Sequence, residues 1–539
     1  MIRSVRSSRL HAGLALALLG TAIAVAPAGA QPTRGEILTA SPDSALAVAL
    51  EALPGEPLVL AEVLDAALGE ASIARIAAAQ LDAAAGLARR ERGAFDPELF
   101  GRADWSGADT PQTSPFAGTD ILQTETSVLE AGARMRLNLG TEISASLQSQ
   151  RFTSNSAYTA LAPEYRATGA LTLRQPLLKG FGPAARADLL AADRGLEGAA
   201  NRLVGARLAV QAEAEAAYWQ LYAAERNHAV SILVRDRAAA FLDDTSLRAE
   251  AGLVGPSQVA NAEYFLAEAE QAVLDTSELL DAASDRLASL IGRRPSGDRT
   301  RFRPHDDPPR DFPVIPQETL LAAAFAHNPD LLALESDLKA MNAREAAARW
   351  DARPTLDLVG GLGGGGLAGS AQDIYFFGSE DPVQTQWGGP RSESLKQVFR
   401  RDFPTWNVGM VFSLPIGGRE GGGEHDRLQA EVVRMQEMVV SARRLLEEEV
   451  RAQQRELARG TERLELATAG VEASYKQVEI GMIEFRNGQS TAFEVVRLAA
   501  DLATAQQRYS AALVRTARAA AILRQLTGGR YPTTMEQEN

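Results

Sequence analysis

Glu494 and Arg497 stand six and nine positions beyond Gly488, and a carboxylate and a guanidinium three residues apart share one helix face. They can pair as an exposed helix contact worth about 0.2–0.5 kcal/mol. Repeated around a symmetry axis, they would instead form separate charged rings, which need a hydrated mouth rather than a packed seam. Gln258, six positions after Gly252, adds no charge. Residues for making and breaking bonds are sparse by comparison. The five histidines, at 11, 228, 305, 327 and 425, lack metal-ligand spacing, and without a cysteine there is no thiolate site, disulfide or cysteine nucleophile. No metal, cofactor or enzymatic activity is therefore expected. The glycine tracts Gly361 to Gly366, Gly417-Gly418 and Gly421 to Gly423 lack the Gly-Lys-Ser/Thr ending of a phosphate loop and read as flexible turns.

The elements that must position Glu494 and Arg497 are long helices. From about Ala184 to Ala251, and from about Glu424 to Arg486, there is no proline and little glycine, so each helix can run about 90–100 Å at 1.5 Å per residue. Apolar residues recur in a three-and-four rhythm: Val210, Ala214, Ala217, Leu221 and Ala224 in one, and Leu428, Val432, Met435, Val439, Ala442, Leu446 and Val450 in the other. Alanine seams allow close approach but bury little area, which predicts several seams per helix or lateral contacts between protomers. Each long helix ends at a glycine turn, and a returning helix of about 35 residues follows, with Pro256 suited to the first turn of the first.

The order of elements occurs twice. Gly252 to Gly488 and Gly292 to Gly528 are both 236 residues, and Pro176 to Pro415 is 239, which indicates an internal duplication. Each half opens with an Ala/Leu-rich helix, Leu58 to about Arg92 or Gln317 to about Trp350. Strand segments follow Pro97 or Pro354 and end at Pro176 or Pro415. These segments alternate: Ile143, Ala145 and Leu147 oppose Glu142, Ser144 and Gln148, and Trp406, Val408, Met410 and Phe412 share a face opposite Asn407 and Gly409. Alternation alone fits a soluble sheet over a core equally well; together with export, roughly ten-residue segments and polar Gly- and Ser-rich linkers it makes Trp406, Val408, Met410 and Phe412 the candidate lipid-facing set. Pro97 to Pro176 exceeds Pro354 to Pro415 by 18 residues, room for an extra strand pair around 129–137 and 141–150, turning at Leu139-Gly140. The reading divides the chain into a signal peptide (1–30), a leader (31–57), a first repeat (58–292), a proline-rich surface linker (293–316), a second repeat (317–528) and a tail (529–539).

The first thirty residues read as an export signal, with Arg3, Arg6 and Arg9 ahead of an apolar run and Ala28-Gly29-Ala30 before Gln31. Removing those three arginines takes the formal charge from −14 to −17, which argues against nucleic acid as a partner. No later segment reaches the length of a membrane helix, so bilayer entry would require a closed barrel.

These motifs resemble the TolC-like outer-membrane factor family of efflux and type I secretion channels. The specific marks are Gly252-Leu253-Val254 followed by Val259 and Asn261-Ala262, the matching Tyr475, Gly488, Val495-Val496 and Tyr509, and Asn328-Pro329. The resemblance implies a mainly α fold with a membrane β-barrel, in which duplicated strand-and-long-helix repeats form a homotrimeric barrel and a periplasmic tunnel. It implies an outer-membrane exit duct, opened when a periplasmic adaptor linked to an inner-membrane transporter engages the hairpin tips. Tip and adaptor-contact candidates are Gly252, Leu253, Val254, Phe485, Arg486, Asn487 and Gly488. In the family, acidic residues six and nine positions after the tip glycine line the mouth; here Glu494 keeps the first and Arg497 departs at the second, with Gln258 as the first repeat's counterpart. The family usually contributes four strands per protomer, so the extra pair leaves the strand count open. The alternative is an exported coiled-coil scaffold or adhesin without channel activity.

Overall fold

The computed structural model describes residues 42–113, 118–297, 299–375, 381–383, 385–487 and 489–532. The export signal, its cleavage site and Gly488 lie outside the described residues. In chain order the elements are α1 (Pro42–Ala52), β1 (Glu56–Leu58), α2 (Leu60–Glu70), α3 (Ser72–Gly93), β2 (Glu98–Pro111), β3 (Ile121–Arg136), β4 (Glu142–Ser154), β5 (Leu161–Pro176), α4 (Ala187–Glu250) and α5 (Pro256–Ile291). They continue with β6 (Phe302–Pro304), α6 (Gln317–His327), α7 (Pro329–Asp351), β7 (Thr355–Ala371), α8 (Arg391–Arg400), β8 (Phe403–Ser413), α9 (Arg419–Arg486) and α10 (Ala492–Leu526). No helix among the described residues is long and apolar enough to cross a membrane.

Six strands form one antiparallel sheet in the order β2-β3-β4-β5-β7-β8. The extra pair is β3 and β4, continuous with the rest, and Gly140 makes its turn at a φ of 88°. Both halves feed the sheet in the same way: a helix ends, a proline marks the start of a strand, and after an even number of strands a long helix leaves from the same end.

Helices α4 and α9, of 64 and 68 residues, span nearly the ranges that the absence of proline allows. Helix α4 packs against α3, α5, α7 and α10, so its alanines serve several seams. On α9, Leu428, Met435, Val439, Leu446 and Val450 are buried along one stripe. The opening helix of each half proves to be two. In the second, Asn328 accepts from the Leu331 N–H at 2.9 Å and Pro329 takes the first turn of α7, so the chain restarts instead of continuing.

Two expectations are corrected. The stretch from Arg293 to Pro316 is more than a surface linker: β6 within it pairs in parallel with β1, and Phe302 and Phe312 are buried in the main core. The glycines at 361–366 are not turn residues but lie inside β7, and those at 421–423 open α9.

Candidate functional site: strand wall and hairpin tips

Directly paired residues of an antiparallel ladder share a face, so the register sorts the whole wall. One face carries Glu98, Arg134, Arg136, Glu142, Arg174 and Asp357 near the helical end of the strands. Arg134 donates to both Glu98 oxygens at 2.7 and 2.8 Å, and Arg174 donates to Asp357 at 2.7 Å and to Glu142 at 3.2 Å. Glu98, Arg134, Glu142 and Arg174 line a recess of about 950 Å³ that reaches from β2 to Asn407 of β8, so the sheet curves toward its polar face. The opposite face carries Leu99, Trp105, Leu129, Leu171, Leu362, Trp406, Val408, Met410 and Phe412, all strongly exposed in the single chain.

Glycines on that apolar face seat helix α8. A Cβ on Gly366 would collide with the Ser394 carbonyl oxygen, and one on Gly169 would meet Val398 Cγ1 at 2.6 Å. Gln397 Oε1 accepts the Leu367 N–H at 2.7 Å, and Arg391 donates to Ser149 Oγ at 2.9 Å. Because β8 pairs with β7 only up to Gly365, α8 and the segment before it cover the remaining edge of β7. This was the physical reason for the glycine tract; alternate glycines on one strand face were the available signal.

At the far end, Gly252 ends α4 with a φ of 74°, and the Leu253 N–H reaches the Arg248 carbonyl at 2.8 Å, a left-handed helix stop. Leu253 is 74% exposed and Val254 half-buried. Gln258 is exposed beyond Pro256, which takes the first position of α5. The second tip turns at Asn487, whose N–H reaches the Ile483 carbonyl at 3.0 Å, and Thr491 caps α10 by accepting from the Glu494 N–H. Arg486 is the last residue of α9. Aromatic rings join the two tips: Phe493 lies 6.1 Å from Phe241 and 5.2 Å from Phe265, and Arg248 stacks over Phe485 at 5.7 Å. Glu494 and Arg497 form an ion pair with each other at 2.5 Å on the partly exposed side of α10.

Between wall and tips lies a buried polar belt that sequence reasoning missed. The Tyr218 hydroxyl accepts the N–H groups of His305 and Asp306, both at 3.1 Å, and lies 3.0 Å from Leu58 O and Asp306 Oδ2. Asp306 also accepts the Leu60 N–H at 2.6 Å, tying β1, β6 and α4 into one knot. Glu225 pairs with Arg303 at 2.9 Å; burial pushes its carboxyl up to about 7, with Arg303 pulling the other way. The signals were the aromatic cluster 218–222 inside a polar helix and the Asp306-Asp307 pair in a proline-rich stretch. Among the described residues, no group of three or more His, Asp or Glu is arranged to hold a metal ion.

The site is thus a curved sheet with a charged inner face and an apolar outer face, carried on paired helical hairpins. Residues 320–529 match the sequence profile of the outer membrane efflux protein family, and over most of its length the chain has the fold of solved outer-membrane channels. The solved outer-membrane channel OprN is similar at a TM-score of 0.61 and 19% identity, with 88% of this chain and 90% of that one covered. VceC of Vibrio cholerae gives 0.57 and 16%, covering 88% and 97%, and the CmeC outer membrane channel of Campylobacter jejuni gives 0.56 and 16%, covering 88% and 86%. Comparison with curated proteins by sequence gives no match.

Proposed function

We propose that three copies of this chain close into an outer-membrane exit duct, a passive channel through which an efflux or secretion system discharges its cargo. The observation that carries this reading is the six-stranded sheet: its outer face is apolar, and its two edges, β2 and β8, pair with no further strand among the described residues. An open edge cannot sit in lipid, and six strands are too few to close alone. Six is an even number, so β8 of one copy runs antiparallel to β2 of the next, and three copies make an eighteen-stranded wall. At four strands each, the same three copies would give twelve, so the circumference here is half as large again. Barrels of this strand number leave room for an aqueous channel.

In this reading export begins with cleavage before Gln31, the two repeats meet through the belt, and the hairpin tips face an adaptor in the periplasm. Leu253, Val254, Phe485, Arg486, Asn487 and Gly488 with Gly252 form the contact surface for that adaptor, which links the duct to an inner-membrane pump. Glu494, Arg497 and Gln258 stand at the mouth.

The test uses the absence of cysteine as a clean background. Cysteines introduced along β2 around Ala103 and along β8 around Val408 are expected to give disulfide-linked dimers and trimers in outer-membrane preparations, and the purified protein to conduct in a planar bilayer. A monomer that forms no cross-link and carries no current would instead identify an exported scaffold. Trimers that conduct but cross-link only through β4 would place β2 and β3 outside a twelve-stranded wall.

A further inference from the structure

We infer that α8 is an interfacial helix that binds the phosphate groups of acidic lipids in the outer leaflet, an assignment that rests on the barrel reading above. The helix lies on the apolar face of the sheet, the face that would meet lipid, and crosses from Ser149 on β4 to Gly364 on β7. Its height follows from the strands. Gly364 and Gly366 are nine and eleven residues above the foot of β7 at Thr355, which at 3.4 Å per residue and a tilt near 40° is about 23–29 Å. The apolar band of such a barrel is about 25 Å tall, so α8 lies along its outer limit, level with headgroups.

Its composition suits that level and no other. Ser394, Gln397 and Val398 are buried against the sheet, whereas Lys396, Phe399 and Arg400 point away from it, with Phe399 75% exposed. Residues 391–402 hold four basic and two acidic side chains, a local charge of +2 in a chain whose total is −14. Glu393 is shared between Lys396 at 3.2 Å and Arg400 at 3.6 Å, one carboxylate for two cations. An exposed aromatic beside clustered cations at the edge of an apolar band is the arrangement of a helix lying in the interface plane. Trp387, packed edge-on to Phe403 at 5.3 Å, adds a second interfacial ring. Charge complementarity thus selects lipid phosphate over a neutral headgroup.

Native mass spectrometry of the purified assembly in neutral detergent, titrated with a bis-phosphorylated lipid A or with phosphatidylcholine, tests this. Lipid A is expected to be retained and phosphatidylcholine not. The double variant Lys396→Gln/Arg400→Gln is expected to retain lipid A about thirtyfold more weakly, since each cation near a lipid surface contributes about fivefold. Single-channel conductance of the same variant should be unchanged, which shows that the wall is intact. Equal retention by a conducting variant and the parent overturns the assignment, as does pairing of whole assemblies through α8. Loss of conductance in the parent protein would instead strike the barrel reading.

Discussion

Two tryptophans show how differently one chain treats its apolar surface: Trp219 in the helical belt is 1% exposed, and Trp406 in the strand wall is 76% exposed. The belt completes itself. Leu58, Val63, Tyr218, Trp219, Leu287 and Phe302 pack together, and the polar groups of Tyr218 and Asp306 are bonded within the chain. The wall reverses the arrangement, with charges paired on the concave side and large apolar side chains turned out. A belt of this kind gains stability from burial on folding, whereas the wall, on the proposed reading, gains it only when lipid and neighbouring copies cover it. Substitutions should therefore follow opposite rules in the two regions.

The largest effect is expected where a charge enters the outer face. Val408→Arg should destabilise the inserted protein by about 2–4 kcal/mol, as cations do near the midplane of a barrel wall, whereas Asn407→Arg on the polar face should cost little. Urea titration of protein reconstituted in vesicles compares them directly. Equal costs would mean that the two faces are not separated by lipid and water.

In the belt, the rule is satisfaction of polar groups. Tyr218→Phe keeps the ring but leaves the Asp306 N–H without its acceptor, while the His305 N–H still reaches the Leu58 carbonyl at 3.0 Å, at a cost of about 1–3 kcal/mol. Thermal unfolding should show this loss without any change in conductance. A neutral outcome would mean that water replaces the hydroxyl and that the belt is less closed than its packing suggests.

Glu225 gives the belt a pH dependence. Burial raises its carboxyl from 4.5 to about 7 in the folded protein, so folding takes up a proton between those values. The contribution to stability is complete below pH 4.5 and is lost as pH rises through the window to about 7, with a slope of at most about 1.4 kcal/mol per pH unit. The melting temperature should fall across this range, and Glu225→Gln should flatten the fall. An unchanged slope in the variant would assign the dependence to other groups.

What could be read beforehand follows from the range of the interactions involved. The long helices, their glycine stops and the strand pair around Gly140 are local patterns of propensity and period, so residues 187–250 and 419–486 were visible within a few positions. The β1–β6 ladder joins residues 246 apart, and nothing in the sequence around Phe302 specifies Glu56 as its partner. Tyr218 and Asp306 likewise become a site only once two distant segments meet. The glycines of β7 were misread because glycine marks both turns and close approach, and only the position of α8 separates the two. At the tips, the resemblance to known channels located Glu494 and Arg497, but the ion pair between them is ordinary helix geometry.

That pair offers the smallest energetic effect and the most direct way to bring the tips into the comparison between wall and belt. In the single chain, Arg497 donates to Glu494 at 2.5 Å with both side chains partly exposed, so the pair contributes only about 0.2–0.5 kcal/mol and Glu494→Gln should barely move the melting temperature. Thr491 holds the backbone of the first turn through the Glu494 N–H, which the substitution leaves in place. Ion selectivity is a separate matter. Three copies around an axis would bring three carboxylates and three guanidiniums to a narrow opening, where each fixed charge acts on a passing ion. Glu494→Gln should then shift the reversal potential in a salt gradient toward anions, and Arg497→Gln should shift it toward cations. The double variant should return near the parent value, because the two losses of charge offset each other. If reversal potentials stay constant while the channels insert and conduct normally, Glu494 and Arg497 are only a helix pair, and the mouth is lined by other residues.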